Sequence, residues 1–408
     1  MLTGKKLESY AELVLKIGVN LQKGQGLEIA CPVEKKDIAE AFAKIAYDLG
    51  ASIVNIRWQD DVIDRLKFEN ADIDRLLEVP KWFVKSKNYL VENNFCYVAI
   101  AAEDPSAFKN VSPERLSKAS EARSRALKKF SDAVMCNGIR WCVVSVPTKE
   151  WAKQVFPESD NPEEDLSVAI ENTMRLNYEN PTACWEQHIK TLDKRAEYLN
   201  SHDFYALHFK NSLGTDLTVG LADNHVWLSA KEYAKDGVPF VANMPTEEVF
   251  TSPHRERVDG VVKSALPLSY NGKIIDGFTL TFKKGKIVKI NARVGEETLK
   301  KLIETDKGTF HIGEVALIGK NSPIAKSKIL FYNTLFDENA SCHLAIGKAY
   351  PTTIKGGNNL DKEELKKLGA NDSVEHVDFM IGTPDLTVTG ITKKGEKIRI
   401  FENGDWVI

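Results

Sequence analysis

The spacing between strand-like segments changes near the middle of this 408-residue chain, and this change most constrains the fold. In the first half, short apolar segments typical of strands alternate with longer segments whose apolar residues recur at helical spacing. The predicted strands cover residues 27–30, 51–58, 95–101 and 140–146, and the predicted helices cover residues 8–22, 33–49, 119–133 and 163–175. Strands separated by helix-length segments form βαβ units. The first half is therefore predicted to be an α/β domain with a mainly parallel sheet flanked by helices.

From about residue 195 the predicted strands follow one another closely, with turn dipeptides between them. Glycine after Asn or Lys, between alternating apolar residues, is typical of a hairpin. The clearest hairpin joins residues 278–282 to residues 287–292 through Lys284-Gly285. Further turns are predicted at Gly214-Thr215, Asn271-Gly272, Lys394-Gly395 and Asn403-Gly404, and helices at residues 295–304 and near residues 340–350. The second half is predicted to be an α+β domain rich in antiparallel hairpins, which places one domain at residues 1–190 and the other at residues 191–408.

Composition excludes several classes of protein. The chain is 43% hydrophobic and 28% charged, as in ordinary globular proteins, and its net charge of -3 does not favour binding to nucleic acid. No segment approaches the roughly 18 uninterrupted apolar residues of a membrane span, so no membrane partner is expected. The six cysteines are scattered without a CxxC pair, which indicates reduced thiols and a cytoplasmic protein. The α/β half carries neither a GxGxxG nor a Walker A motif, which argues against a nucleotide-binding enzyme.

Four short runs in the last two-fifths of the chain place carboxylates and imidazoles among small or apolar residues. They cover residues 245–251, 311–315, 337–343 and 376–380. Carboxylates and imidazoles without cysteine pairs suit zinc, cobalt or manganese better than a structural zinc knot. If the runs converge in space, they supply enough anionic oxygen for two divalent metals. That convergence would make the protein a hydrolase and would place the metal site in the α+β domain.

Two of the runs have a predicted geometry. His376 and Asp378 are two residues apart in a strand-like segment, so both side chains point to one face of a sheet. His343 and Tyr350 are seven residues apart in a predicted helix, so they share a face, with Tyr350 placed to reach a substrate or a developing oxyanion. The alternatives are a strand with a solvated polar face and a helix whose His and Tyr only pack.

The other two runs hold less well-defined carboxylates. Glu314 lies between Gly313 and an apolar segment, which is unusual for a surface residue, although a loop glutamate is the simpler interpretation. Glu247 and Glu248 are adjacent, so in extended chain their side chains point in opposite directions and at most one faces a metal. Each run alone is weak, but their joint occurrence in one domain favours a common site.

Together the runs resemble the motifs of the thermophilic-aminopeptidase family, which comprises two-metal aminopeptidases of the aminopeptidase T, aminopeptidase S and aminopeptidase II type. The similarity extends over the length and order of the whole chain, with the motifs in the C-terminal half. They are the runs Asn243-Met244-Pro245-Thr246-Glu247-Glu248-Val249-Phe250-Thr251, Gly313-Glu314-Val315-Ala316-Leu317, Asp337-Glu338-Asn339-Ala340-Ser341-Cys342-His343 with Tyr350, and His376-Val377-Asp378-Phe379-Met380-Ile381-Gly382.

The resemblance implies an exopeptidase that releases N-terminal amino acids from peptides with a free N-terminus, by hydroxide attack at a dinuclear metal centre. It implies two divalent ions per subunit, drawn from zinc, cobalt, manganese and magnesium. The family's metal ligands fall on Glu248, Glu314, Glu338, His343, His376 and Asp378, and its catalytic tyrosine falls on Tyr350.

The resemblance also implies a homodimer, with the first domain shaping a cavity and making dimer contacts. Glu248 is preferred to Glu247 because it directly precedes Val249-Phe250-Thr251. The general base is left open: Glu247 is one candidate, and a site without a dedicated base is the other. The alternative functions are a dinuclear metal amidase that acts on other small amides, and a metal-dependent binding protein without catalysis.

Overall fold

The computed structural model describes residues 2–270 and 273–408, which divide into two compact units. The first unit extends to Gln187 and also contains Lys231–Pro245, and the second comprises His188–Ala230 and Thr246–Ile408. Among the described residues, no helix is long and apolar enough to cross a membrane.

The first unit is built on a parallel sheet. Its strands are β1 (Gly26–Pro32), β2 (Ile53–Gln59), β3 (Cys96–Ile100) and β4 (Trp141–Val144). They lie in the order β2-β1-β3-β4, and every neighbouring pair is parallel, which confirms the α/β prediction. The helices in this part of the chain are α1 (Gly4–Leu13), α2 (Lys36–Asp48), α3 (Asp61–Asn70), α4 (Ile73–Leu77), α5 (Lys81–Glu92), α6 (Pro113–Ala126), α7 (Lys128–Met135), α8 (Lys149–Val155), α9 (Pro162–Thr173) and α10 (Pro181–Ser201).

The helix predictions for this half are confirmed except at one break. Helix α1 continues into a π-helical turn at Val14–Gly18, and it buries Leu7, Tyr10 and Ala11. The helix predicted over residues 119–133 is instead two helices, α6 and α7, because the backbone leaves helical geometry at Leu127 (φ -95°, ψ 12°). The apolar spacing continues through the break, so the sequence pattern does not reveal it.

The second unit contains a large antiparallel sheet. Its strands are β5 (Phe204–Lys210), β6 (Asp216–Leu221), β10 (Pro253–Lys263), β13 (Thr279–Lys283), β14 (Lys286–Asn291), β18 (Thr387–Thr392), β19 (Lys397–Glu402) and β20 (Asp405–Trp406), in the order β14-β13-β10-β6-β5-β18-β19-β20. The predicted hairpin across Lys284-Gly285 forms between β13 and β14. The other predicted turns connect β5 to β6, β18 to β19, and β19 to β20. The prediction at Asn271-Gly272 lies outside the described residues, between β11 (Leu268–Tyr270) and β12 (Lys273–Ile275).

A smaller antiparallel sheet carries the residues of interest. It contains β9 (Val249–Thr251), β15 (Ile312–Leu317), β16 (His343–Gly347) and β17 (His376–Met380), in the order β17-β16-β15-β9. The helices of this unit are α11 (Glu296–Ile303), as predicted, α12 (Pro323–Ser327), α13 (Thr334–Asp337) and α14 (Lys362–Lys367).

The helix predicted near residues 340–350 is wrong. This stretch is β16, paired with β15 on one side and β17 on the other, and each of its residues is buried. A short, continuous apolar segment suits a buried strand and a buried helix equally well, and here the two flanking strands decide in favour of the strand.

A hairpin from the second half of the sequence belongs to the first unit. It is formed by β7 (Lys231–Tyr233) and β8 (Pro239–Val241). The guanidinium of Arg140, which is 1% exposed, pairs with Asp236 at 2.6 Å. The chain then runs beside β4, where Met244 N–H donates to the Val143 carbonyl at 2.9 Å, and it continues into the run that carries Glu247 and Glu248.

Candidate metal centre

The pairing register of the small sheet places four polar side chains on one face. Ala345, on the central strand β16, lies directly opposite Glu314 of β15 and directly opposite Asp378 of β17. Residues opposite one another in antiparallel strands point to the same face, as do residues two apart in one strand. His343 and His376 therefore share this face with the two carboxylates. The small side chain of Ala345 leaves room between them.

A bulge in β15 aims Glu314 at this face. Ile312 lies opposite Ile346 and Glu314 lies opposite Ala345, so Gly313 is an extra residue in the strand. Such bulges redirect side chains next to functional sites. A Cβ at Gly313 would lie 2.3 Å from the Lys348 carbonyl oxygen, so only glycine fits without displacing the backbone.

The side chains converge on two triads that share Glu314. In the first, His343 Nε2 lies 3.4 Å from Glu248 Oε2 and 3.5 Å from Glu314 Oε1. In the second, His376 Nε2 lies 3.3 Å from Glu314 Oε2 and 3.4 Å from Asp378 Oδ1. Within each triad, one ligand atom per residue lies within 4.8 Å of the others, which is a spacing that a single metal ion can span.

Glu338 lies beside the triads, although it belongs to neither. It begins the 3₁₀ turn Glu338–Ala340, which ends two residues before β16. Burial, together with the negative charges of Asp378 and Glu248, raises the pKa of its carboxyl well above the usual range. Its backbone carbonyl accepts a hydrogen bond from His343 Nδ1 at 2.7 Å.

Tyr350 lies beside His376 of the cluster, although the segment that carries Tyr350 is not a helix. It follows β16, and its ring centroid lies 4.8 Å from that of His376 and 6.2 Å from that of Phe250. The shared helical face predicted for His343 and Tyr350 is wrong, because the chain between them is a strand followed by a turn. Tyr350 lies close to the cluster because this turn brings it beside His376 on the neighbouring strand β17.

The two adjacent glutamates contact different partners. Glu248 faces His343, whereas Glu247 Oε2 lies 3.5 Å from His188 Nε2, and His188 Nε2 also lies 2.8 Å from the Thr246 carbonyl oxygen. Arg195, two turns after His188 on helix α10, acts electrostatically on Glu247. The structure thus brings Glu248, and not Glu247, to the triads.

Two other residues of the acidic and histidine runs lie outside the triads. The Asp337 carboxylate accepts hydrogen bonds from the N–H groups of Phe331 at 2.8 Å and Asn333 at 3.1 Å, and burial raises its pKa to about 7. His311 Nδ1 lies 2.7 Å from the Arg255 carbonyl oxygen. Both residues therefore have local structural partners.

The charged groups of the cluster shift one another's pKa values. Burial opposes ionisation of the His343 imidazole, but the hydrogen bond to Glu314 and the charges of Asp378 and Glu248 outweigh it and raise the pKa to about 10. Burial and the nearby Glu314 raise the pKa of Glu248 to about 8. Carboxylates this close cannot all ionise without cations between them.

The imidazoles are oriented as metal ligands are. His343 Nδ1 donates to the Glu338 carbonyl and His376 Nδ1 donates to the Lys348 carbonyl, both at 2.7 Å. A backbone acceptor on Nδ1 fixes the tautomer that leaves Nε2 free to bind a metal. Asp378 Oδ1 is buried and makes no hydrogen bond to any residue that the structure describes. The donor set therefore fits divalent cations.

Sequence reasoning missed the residues that support this site. Among them are Asn339, His188, the bulged Gly313 and the carbonyl of Lys348. Asn339 lies inside a recognised run, but nothing in a single sequence tells a supporting amide from a loop residue. The position of Gly313 before a carboxylate was the one available signal.

A parallel α/β unit is joined in sequence to an antiparallel unit that carries two carboxylate and imidazole triads, and this combination is typical of a metal-dependent hydrolase. The model of the thermophilic metalloprotease family, M29, matches residues 3–406, and the chain belongs to this family. The resemblance drawn from the sequence motifs is thereby confirmed.

Aminopeptidases from several bacteria match over nearly the whole chain. Aminopeptidase AmpS of Bacillus subtilis (strain 168) is 43% identical over 405 residues, with 98% of each chain covered. Aminopeptidase PepS of Streptococcus thermophilus is 44% identical over 407 residues, covering 99% of this chain and 98% of the relative. The solved structure of wild-type AmpT from Thermus thermophilus superposes with a TM-score of 0.93 at 36% identity, covering 99% of each chain.

Proposed function

We propose that this protein is a metal-dependent aminopeptidase that releases N-terminal amino acids from peptides at a centre of two divalent ions. The observation that carries the proposal is the pair of triads that share the buried Glu314. Two triads with a common carboxylate would offer ligands for two metal ions. The named relatives are aminopeptidases, which supports the same reaction.

Each proposed metal has three protein ligands in the triads. Glu248, Glu314 and His343 would hold one ion, and Glu314, His376 and Asp378 would hold the other. Glu338 is the sixth proposed ligand because its carboxyl is buried among the same charges. Three protein ligands per ion leave positions open for water and substrate, as catalytic sites require.

When bound, two such ions polarise a scissile carbonyl, bind the free α-amine of a peptide and lower the pKa of a water molecule toward roughly 7. Tyr350 is the proposed hydrogen-bond donor to the oxyanion that develops at that carbonyl. The charge of His376 lowers the pKa of its phenol, but burial and Glu314 outweigh this effect, so the phenol keeps its proton at neutral pH. Glu247 lies beside His188 and belongs to neither triad, which argues against Glu247 as the general base.

We assign the dimer contacts of a proposed homodimer to the first unit. Helix α3 buries none of its side chains and exposes Val62, Ile63 and Leu66 by 53%, 61% and 46%, while Trp82 of α5 is 71% exposed. Large apolar side chains exposed to this extent mark candidate interface residues. Light scattering should give twice the mass of the 45.7 kDa chain. The double variant Val62→Lys, Leu66→Glu should have the mass of a single chain.

We place the protein in the cytoplasm because its six cysteines are free thiols, as expected in a reducing compartment. The native metal is proposed to be zinc, cobalt, manganese or magnesium, since carboxylate-rich sites accept these ions by availability as much as by affinity. Metal analysis of protein purified without added metal identifies the ion and its number per chain.

The test of function combines chelation with substrate choice. Protein stripped of metal should lose activity on fluorogenic amino-acid amides and regain it with one of the four ions. His376→Ala and Asp378→Ala should abolish hydrolysis and weaken metal binding while the protein stays folded. His208→Ala, which removes a partly exposed imidazole paired with Asp216, is the matched control and should retain activity.

A second candidate function is a dinuclear amidase acting on other small amides, because the triads alone do not select a free N-terminus. N-acetylated peptides separate the two candidates. An aminopeptidase cleaves only the unblocked peptide, and cleavage of both forms at similar rates contradicts the aminopeptidase proposal.

A further inference from the structure

Asn339 is a fully buried amide, 0% exposed. In the chain it lies between the proposed metal ligands Glu338 and His343. It is the middle residue of the 3₁₀ turn Glu338–Ala340. A buried amide is costly unless its donor and acceptor atoms both find partners. The partners of Asn339 therefore indicate why an asparagine occupies this position.

The acceptor side of the amide reaches a distant part of the chain. Asn339 Oδ1 accepts a hydrogen bond from the backbone N–H of Glu247 at 2.8 Å, across 92 residues of sequence. The N–H of Glu247 directly precedes Glu248 in the chain. This hydrogen bond therefore anchors the backbone immediately before Glu248.

The donor side of the amide holds its own turn. Asn339 Nδ2 donates to the Leu335 carbonyl at 3.1 Å and lies 3.5 Å from Glu338 Oε1. The same turn supplies the Glu338 carbonyl that orients His343. One amide thus connects the loop of Glu248, the carboxyl of Glu338 and the turn that sets the tautomer of His343.

We infer that Asn339 is a positioning residue that sets the separation between the Glu248 and Glu338 carboxylates before metal binds. This inference rests on the proposed metal-dependent function. The role needs an acceptor and a donor on one short side chain. Aspartate keeps the acceptor for Glu247 N–H but loses the donor, and alanine loses both.

The test measures Co²⁺ binding to metal-free full-length protein by calorimetry at pH 7, with the visible absorption of bound Co²⁺ as a report on coordination geometry. Residues that orient metal ligands typically contribute about 10–100-fold to affinity. Asn339→Ala should bind Co²⁺ at least about tenfold more weakly and change the spectrum. Asn339→Asp should also bind more weakly, even though its added negative charge attracts a cation.

Asn200→Ala is the matched control. Asn200 also connects a backbone N–H and a backbone C=O, both of Trp227 in the same unit, and neither of these bonds involves a proposed metal ligand. This variant should keep the wild-type affinity and spectrum. Thermal melting of each metal-free variant separates weaker metal binding from unfolding.

The outcomes separate this inference from the proposed function. If the wild-type protein binds no Co²⁺, the proposed function fails. If the wild-type protein binds and folded Asn339→Ala binds within twofold of it with the same spectrum, only the positioning role fails. If Asn339→Ala does not fold, Asn339→Asp decides: weaker binding supports the role, and equal or tighter binding overturns it.

Discussion

Metal binding to the stripped protein is predicted to release protons in a defined number. At pH 7 the metal-free cluster holds protons on both imidazoles, because the pKa of His343 is raised to about 10 and that of His376 is raised well above its usual value. It also holds protons on two carboxyls, since the pKa of Glu248 is raised to about 8 and that of Glu338 is raised well above its usual range.

The remaining two carboxylates are already ionised. Burial raises the pKa values of Glu314 and Asp378, but the two neighbouring imidazoles outweigh this effect and lower both. The metal-free cluster is therefore electrically neutral, with two imidazolium and two carboxylate charges. Two divalent ions would replace the four labile protons and keep the cluster neutral, so binding should release about four protons per chain.

The sign of the pH dependence follows from this exchange. Protons compete with metal, so the affinity falls as the pH decreases below 8. At about two protons per ion, the affinity for each ion should fall roughly 100-fold per pH unit. Above pH 8 Glu248 loses its proton without metal, and above pH 10 His343 does too, so metal binding should release fewer protons.

Calorimetric titration of Zn²⁺ into the stripped protein, in buffers that differ in ionisation enthalpy, gives the number of protons released. The slope of observed enthalpy against buffer enthalpy should correspond to about four protons at pH 7, with two ions bound. Binding of two ions with release of fewer than about two protons would refute this prediction, because the imidazoles would then be neutral before metal arrives.

Three further outcomes are expected. Tyr350→Phe should keep its full metal content and lose turnover by about 10²–10³-fold, the usual loss for one oxyanion donor, and loss of metal would instead make Tyr350 structural. Glu248→Gln should lower the number of bound metal ions measured by elemental analysis, whereas Glu247→Gln should not; the reverse result would exchange their roles. Asp236→Asn should lower the free energy of unfolding by about 3 kcal/mol, because it leaves the buried Arg140 without its counter-charge. Urea denaturation measures this loss, and a loss under about 1 kcal/mol would contradict the prediction.

The predicted geometry was correct where the local pattern is unambiguous. His376 and Asp378 are two residues apart in a strand-like segment, and they do share a face of β17, with Nε2 and Oδ1 3.4 Å apart. The opposite directions of Glu247 and Glu248 follow from extended backbone in the same way.

The prediction failed where neighbouring strands decide the structure. The segment around His343 is apolar and short, and its local spacing does not distinguish a strand from a helix. It becomes β16 because β15 and β17 pair with it on both sides. The break between α6 and α7 was missed for a related reason, since the apolar spacing continues through it.

By itself, the sequence determined the parallel α/β first half, the antiparallel second half and the residue types of the site, because strand alternation, turn dipeptides and ligand chemistry are local properties. Only the tertiary structure decided that Glu314 and Asp378 lie opposite the same Ala345, that a bulge at Gly313 aims Glu314, and that Asn339 contacts Glu247. Those relations depend on strand register and on contacts across tens of residues. Many long-range strand pairings are compatible with the same local sequence, and only the packing of the whole chain distinguishes the one that forms.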